Sequence, residues 1–252
     1  MHALPRFDER FAIPEEMAFL RPLASRLVAH RRWMRERPFV TLSWAQSLDG
    51  SLAYSRSRPY ALSCGKTLEM AHQLRALHDA LLVGVNTVLS DDPQLTVRYC
   101  LGDDPQPVIL DSTLRFPESA RLLQHPSHRP ILVTTERASQ AKAARLATLG
   151  ARVLRAACSR DGRVDLGDAL DRLAALGLHS VMIEGGAQVI QSVLAAQRVD
   201  YCVVTIAPKL LGGVKALERP CAAQGEAPLA IADCRFQALG TDLVAYGPLA
   251  LP

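Results

Sequence analysis

Two stretches of the chain combine acids, arginines and glycines in an order that suits a phosphorylated ligand. The first is Val181-Met182-Ile183-Glu184-Gly185-Gly186-Ala187, where an apolar run delivers a carboxylate, two glycines follow, and a helical pattern opens at Ala187. Glycines at such a junction let backbone approach a ligand closely, and first-turn N–H groups with the helix dipole behind them hold phosphate oxygens. The pair is not the GxGxxG fingerprint, and a plain tight turn accommodates Gly-Gly equally well. A carboxylate at the mouth of a buried strand is costly unless hydrogen-bonded or paired. Glu184 is therefore a ligand contact or a member of an internal salt bridge, and the first is favoured because perturbed acids gather at functional sites.

The second stretch runs from Leu74 to Arg98. Ala80 to Val85 reads as a short strand covered on both faces, because alternation is absent and the run is too short to span a membrane. Ligands bind outside the carboxyl ends of strands in open α/β sheets, which puts Asn86, Thr87, Asp91, Asp92, Thr96 and Arg98 where a ligand would sit; a plain solvated loop is the competing reading. Arg75 and Arg98 flank this segment, and either could pair bidentately with a phosphate or a carboxylate. Arg75 lies in a helical pattern and could as easily be solvated. Ser47-Leu48-Asp49-Gly50 adds a second carboxylate after an earlier strand. Asp-Gly is a common turn signal and the turn is the stronger reading taken alone, but Asp49 stands with Glu184 as a candidate catalytic carboxylate.

Alternating elements must position these residues. Strand patterns at Phe39 to Ala45, Ala80 to Val85, Pro107 to Asp111, Pro130 to Thr135, Ala151 to Ala156 and Ser180 to Glu184 interleave with helical patterns at Gly65 to His78, Ser139 to Leu149, Leu166 to Leu176 and Ala187 to Ala196. Such crossover units predict a mainly parallel sheet with helices on both faces. Tyr201 to Ala207, Ile231 to Leu239 and Leu243 to Tyr246 read as strands without comparable helices between them, so an antiparallel edge is expected there. Residues 1–37 form an Arg-rich arm with one helix from Leu23 to Arg35, whose Leu23, Leu27, Met34 and Trp33 are spaced for one face. The remainder, 38–252, reads as one domain.

Composition narrows the function. The 252 residues are 49% hydrophobic, enough for a full core, and 29 basic against 25 acidic residues leave a scattered charge of +4 that does not imply a nucleic-acid partner. No apolar stretch approaches the ~20 residues of a spanning helix and no signal-peptide pattern opens the chain, so a cytoplasmic location is expected. Cys64, Cys100, Cys158, Cys202, Cys221 and Cys234 are dispersed without a CxxC pair, which suggests reduced thiols. His125 and His128 lie three apart, but Pro126 breaks the helix that would align them and no third ligand is evident; no metal is expected.

In their order, these motifs resemble the pyrimidine reductases of riboflavin biosynthesis, a dihydrofolate-reductase-like family fused to a deaminase in many bacteria and stand-alone in fungi and archaea. The resemblance covers Pro38 to about Leu249. It rests on Phe39-Val40-Thr41-Leu42 with Ala45-Gln46-Ser47-Leu48-Asp49-Gly50, Leu74-Arg75-Ala76, Val83-Gly84, Thr87-Val88-Leu89, Asp91-Asp92-Pro93, Leu95-Thr96-Val97-Arg98, Leu110-Asp111-Ser112, Glu184-Gly185-Gly186, and Ile206-Ala207-Pro208-Lys209-Leu210-Leu211-Gly212-Gly213. It implies a dihydrofolate-reductase-like three-layer α/β sandwich, a homodimer, and NADPH-dependent reduction of the ribosyl group of a ribosylaminopyrimidine 5′-phosphate to ribityl. Hydride delivery to the sugar C1′ would be accompanied by a proton as the ring opens, with Glu184 supplying that proton or orienting sugar hydroxyls. By the same resemblance Ala45, Thr87, Asp91 and the helix start from Gly186 to Ser192, including Ala187 and Gln188 after Gly185, would face NADPH. Ser112 and Arg115 would lie near its adenosine phosphate. Arg75, Leu95, Arg98 and Glu184 would face the substrate, the arginines serving its phosphate. Ser43 stands where many fused members carry Lys, which points to the stand-alone branch, and Ala61 stands where many carry a Trp over the cofactor, with Tyr60 a candidate substitute. A dihydrofolate or pteridine reductase and a non-catalytic dinucleotide-binding module are the competing functions.

Overall fold

The computed structural model describes residues 13–33, 36–55, 60–221 and 227–250. Helix α1 (Arg21–Arg32) precedes strands β1 (Phe39–Ser47) and β2 (Ser51–Ala53). Then come α2 (Gly65–Leu77), β3 (Ala80–Gly84), α3 (Val85–Asp91), β4 (Gln106–Leu110), β5 (Ile131–Thr134), α4 (Gln140–Thr148) and β6 (Arg152–Arg155). The second half contains α5 (Leu166–Ala175), β7 (Ser180–Glu184), α6 (Ala187–Ala195), β8 (Tyr201–Ala207), β9 (Val214–Lys215), β10 (Ala230–Ile231), β11 (Arg235–Leu239) and β12 (Asp242–Ala250).

The main sheet runs β11-β12-β8-β1-β7-β3-β4-β5-β6, with β10 on the far end of β12. From β8 to β6 every pairing is parallel, and β12 is antiparallel to β8, β10 and β11. The apolar run of β3 lacks alternation because both faces are covered: Leu81 and Val83 enter one core cluster, Ala80 and Leu82 the other. Met70, Leu74 and Leu77 of α2 and Leu146 of α4 fill the first. Leu170 and Leu173 of α5 with Ile190 and Val193 of α6 fill the second. The result is the expected three-layer α/β sandwich.

Three expectations need correction. Residues 86–91 form α3 instead of a loop; only Val85 and Val88 anchor it, and Asp92 ends it in the left-handed region at φ 39 before Pro93. Two apolar anchors are too few for a periodic signal. The single strand expected from Ile231 to Leu239 divides into β10 and β11 around a turn at Asp233, φ 46. Finally, β8, expected as part of the antiparallel edge, is an interior strand, parallel to β1 on one side and antiparallel to β12 on the other. The small sheet of β2 and β9 had no local signature.

Leu23 and Leu27 of α1, with Leu20 before it, share the first core cluster with Tyr201, Val203, Val244 and Tyr246. Phe19 lies 5.1 Å from the Tyr246 ring, and Arg31 pairs with Asp79 at 3.0 Å. Trp33 is exposed, and Met34 lies outside the described residues. No helix among the described residues is long and apolar enough to cross a membrane.

His78 joins α2 to the sheet. Its Nδ1 donates to the Leu74 carbonyl and its Nε2 accepts from the Thr41 hydroxyl, each at 2.7 Å. Burial pushes this imidazole down to about 4. The folded protein thus refuses a proton that the unfolded chain accepts near pH 6.5, so the stabilisation is complete above that pH and drains away as pH falls toward 4. Urea unfolding at about pH 7 and about pH 4.5 should show a loss of about 2–3 kcal/mol from this group. His78→Gln, starting from lower stability, should show a shallower decline over the same interval.

Candidate active site

The chain leaves β7 through α6 to reach β8 beyond β1, and leaves β3 through α3 to reach β4 in the opposite direction. The adjacent strands β7 and β3 therefore diverge at their carboxyl ends, the place where open α/β sheets form a crevice. Gly84 lets its walls meet: a Cβ there would lie 2.8 Å from Val189 Cγ2 of α6. Across the crevice, Asn86 Nδ2 donates to Gln188 Oε1 at 3.0 Å, and Arg115 Nη2 donates to Asn86 Oδ1 at 2.7 Å. A guanidinium is thereby tethered to the first turn of α6.

The two glycines after Glu184 have different reasons. A Cβ on Gly185 would sit 2.9 Å from Ile190 Cγ1 and 3.2 Å from the Ile190 backbone nitrogen, so this glycine serves helix packing. A Cβ on Gly186 would meet nothing within 4 Å. The Gly186 carbonyl accepts from Val189 at 2.9 Å and Ile190 at 3.1 Å, and the N–H groups of Ala187 and Gln188 precede those first bonds. No side chain caps the helix. Open space at Gly186 and a first turn that no side chain caps among the described residues, beside a tethered arginine, fit a phosphate group.

Glu184 is paired inside the protein. Arg75 Nε donates to Oε1 and Nη2 to Oε2, both at 2.7 Å, while Nη1 donates to the Thr96 carbonyl at 3.0 Å. The side chains are 13% and 24% exposed, so the pair is sheltered. Burial works against the Arg75 charge, yet the adjoining carboxylate more than compensates and holds the guanidinium above its ordinary value. Of the two readings of Glu184, the internal ion pair is present. Each carboxylate oxygen still has a second lone pair for a ligand hydroxyl. Ser43 lies beside Glu184 in the register of β1 with β7, and Ala45 follows two residues on, opposite Thr205.

Arg98 differs from Arg75. Its guanidinium is exposed, 3.1 Å from Thr96 Oγ1 and 5.8 Å above the Tyr99 ring. Leu95 is buried at φ 55, a conformation costly for a bulky residue. Thr87 is half-buried and Asp91 exposed on α3. Ser112, after β4, accepts from the Val164 N–H through Oγ at 3.1 Å and from Thr135 Oγ1 through its carbonyl at 2.8 Å. Ala61 is exposed; Tyr60 stands 5.0 Å from the Tyr54 ring with Lys209 Nζ 5.1 Å over its own.

Asp49, expected beside Glu184 as a catalytic carboxylate, is taken up by the fold. Lys215 donates to Oδ2 at 2.6 Å, Ser51 and the Gly212 N–H donate to the same oxygen, and Ser47 and the Leu211 N–H donate to Oδ1. Led by Lys215, these donors hold the carboxyl well below the usual carboxylate range. The group anchors the segment 211–215 to the end of β1. Sequence reasoning missed Lys215, Asn86 as the bridge, and His72, whose Nδ1 accepts from the Arg98 N–H at 2.9 Å. Only His72 had a local signal, its spacing of three from Arg75 on one helix.

Removing either member of the Arg75–Glu184 pair leaves a sheltered charge without its counterion. Glu184→Gln and Arg75→Met should each lower the unfolding free energy, with a double-mutant coupling of about 1–3 kcal/mol in urea melts. A coupling near zero would mean that the pair does not support the site.

Comparison with known proteins gives the chain its relatives. Residues 38–245 match the RibD C-terminal domain. The chain is 36% identical over 222 residues to the riboflavin biosynthesis protein RibD of Aquifex aeolicus, covering 84% of this chain and 58% of that protein. It thus spans little more than half of that relative. It is 37% identical over 180 residues to the 2,5-diamino-6-ribosylamino-4(3H)-pyrimidinone 5′-phosphate reductase of Methanothermobacter thermautotrophicus, covering 70% of this chain and 81% of the relative. Among solved structures, the Saccharomyces riboflavin biosynthesis reductase Rib7 superposes with a TM-score of 0.71 at 26% identity, over 92% of this chain and all of that one (100%). With the match running from β1 through the Glu184-Gly185-Gly186 turn into β12, the chain belongs to the RibD C-terminal domain family.

Proposed function

We propose that this protein is an NADPH-dependent reductase that converts the ribosyl group of a ribosylaminopyrimidine 5′-phosphate to ribityl. The observation that carries the reading is the crevice between β7 and β3, where an open helix start, a tethered arginine and an anchored carboxylate occupy one sheet edge. Relatives named as reductases of such a pyrimidine phosphate support the substrate class. Gly186, Ala187 and Gln188, with Arg115, would hold the phosphates of the cofactor, and Ala45, Thr87, Asp91 and Ser112 would line its course. NADPH supplies the hydride when bound.

The chain's own residues bind and orient the sugar. Glu184, held by Arg75, presents its remaining lone pairs to sugar hydroxyls and a negative field to positive charge developing at C1′. Arg98, whose exposed guanidinium donates only to the neutral Thr96 Oγ1 and Gln94 Oε1 among the described residues, would take the substrate phosphate, while Arg75 acts through Glu184 and the Thr96 carbonyl. Leu95, three residues before Arg98, is buried in the first core cluster.

Purified protein should oxidise NADPH with the phosphorylated pyrimidine in either its amino or its deaminated form. Gly186→Val should keep the fold, because nothing lies near the added Cβ, and weaken NADPH binding by about tenfold or more in calorimetry. Arg98→Ala should raise the pyrimidine KM by about tenfold or more and leave that of NADPH nearly unchanged. Turnover of dihydrofolate or a pterin alone would replace the substrate, and NADPH binding without turnover would reduce the protein to a dinucleotide-binding module.

We also propose a homodimer, through the outer face of β11 and β12. Phe236 is 61% exposed and Leu243 40% exposed there, on an antiparallel sheet edge. Sedimentation at micromolar concentration should give the dimer mass, and a monomer throughout would contradict it.

A further inference from the structure

Arg98 can serve a phosphate only if the backbone beneath it is held, and three side chains hold it. Arg75 Nη1 donates to the Thr96 carbonyl at 3.0 Å, the Val97 N–H donates to Asp104 Oδ1 at 2.7 Å, and the Arg98 N–H donates to His72 Nδ1 at 2.9 Å. Three consecutive residues are thus tied one by one. Arg75 and His72 stand three apart on α2 and so share a helix face. The tethered residues directly follow Leu95, which stands at φ 55, and such a conformation persists only where its surroundings over-determine it.

We propose that His72 is a positioning residue for the reductase, clamping the segment that carries Leu95 and Arg98 to the helix that carries Arg75. The proposal rests on the function argued above for the identity of the ligand, a phosphorylated pyrimidine. The clamp requires a lone pair on Nδ1, hence a neutral imidazole with its proton on Nε2. The surroundings enforce that form: burial, followed by the charges of Arg75 and Arg98, brings the imidazole down to about 4 against the pull of Glu184 and Asp104. His72 therefore acts near neutral pH as a fixed acceptor.

Its other nitrogen argues the same way. Nε2 is buried without a hydrogen-bond partner among the described residues, and the ring packs edge to face with Tyr99 at 4.6 Å between centroids. A buried donor without a partner is a standing cost that leucine would avoid while filling similar space. What leucine cannot provide is the acceptor for Arg98.

Two variants separate acceptor from filler. His72→Leu removes the acceptor, whereas His72→Asn restores one, because Asn Oδ1 can take the place of Nδ1. In His72→Leu, hydrogen exchange at the Arg98 amide should accelerate about tenfold or more, and the pyrimidine KM should rise by a similar factor while the NADPH KM stays within about twofold. His72→Asn should recover most of both. Unchanged Arg98 exchange, equal rises in both KM values, or no recovery in His72→Asn would overturn the clamp. If His72→Leu does not fold, the imidazole nitrogen resonances of the wild-type protein decide: Nδ1 must be unprotonated and Nε2 protonated near neutral pH, and the opposite tautomer overturns the proposal. A wild-type protein inactive on every pyrimidine would overturn the function instead, and the exchange and tautomer measurements would still judge the clamp.

Discussion

The bidentate pair between Arg75 and Glu184 connects three parts of the molecule that share no local sequence. Glu184 ends the strand at the centre of the crevice, Arg75 belongs to a helix packed on one face of the sheet, and the third arm of the guanidinium reaches the Thr96 carbonyl. Shifting α2 along the sheet would break both contacts and leave a sheltered charge uncompensated, so the pair sets the helix in register with the strand ends. The positions of Leu95 and Arg98 follow from that registration. Gly84 and Gly185 also let Val189 and Ile190 of α6 approach the strand ends closely, which fixes where its first turn opens.

A second hub does for the far loops what this pair does for the crevice. Asp49 gathers donors from the end of β1, from Ser51 and from the segment 211–215, and the pairing of β2 with β9 depends on the same meeting point. Two carboxylates at strand ends, alike in sequence, have thus been put to different uses. One keeps lone pairs toward the crevice, and the other is surrounded by protein donors. Local spacing cannot make that distinction, because it lies in the number of donors the fold brings to each.

What was readable in the chain tracks the range of the interaction concerned. Ser180–Glu184 and Tyr201–Ala207 appear where the apolar runs place them, since burial on both faces of a parallel strand leaves a continuous apolar signature. Helix α3, held by Val85 and Val88 alone, is too short for periodicity to register, and β2 exists because of a partner more than 160 residues away, Lys215 opposite Ser51. Glu184 was recognisable as a carboxylate needing a partner, but not as the partner of Arg75. Gly185 and Gly186 were recognisable as a pair, yet only the surroundings of each Cβ separate the one that packs from the one that opens.

The arm before residue 38 lies outside the residues that match the family model, yet Met17, Leu20, Leu23 and Leu27 stand in the same apolar cluster as Tyr201, Val203, Val244 and Tyr246. The span of the sequence match and the span of cooperative packing therefore have different borders in this protein, and the superposition on Rib7, over 92% of this chain, reaches into the arm as the packing does. Here α1 and the helical turn before it act as a roof over strands that belong to the common fold, fastened by Glu16 of the turn to Lys66 and by Arg31 of α1 to Asp79. A boundary drawn from the sequence match alone would cut through a hydrophobic core.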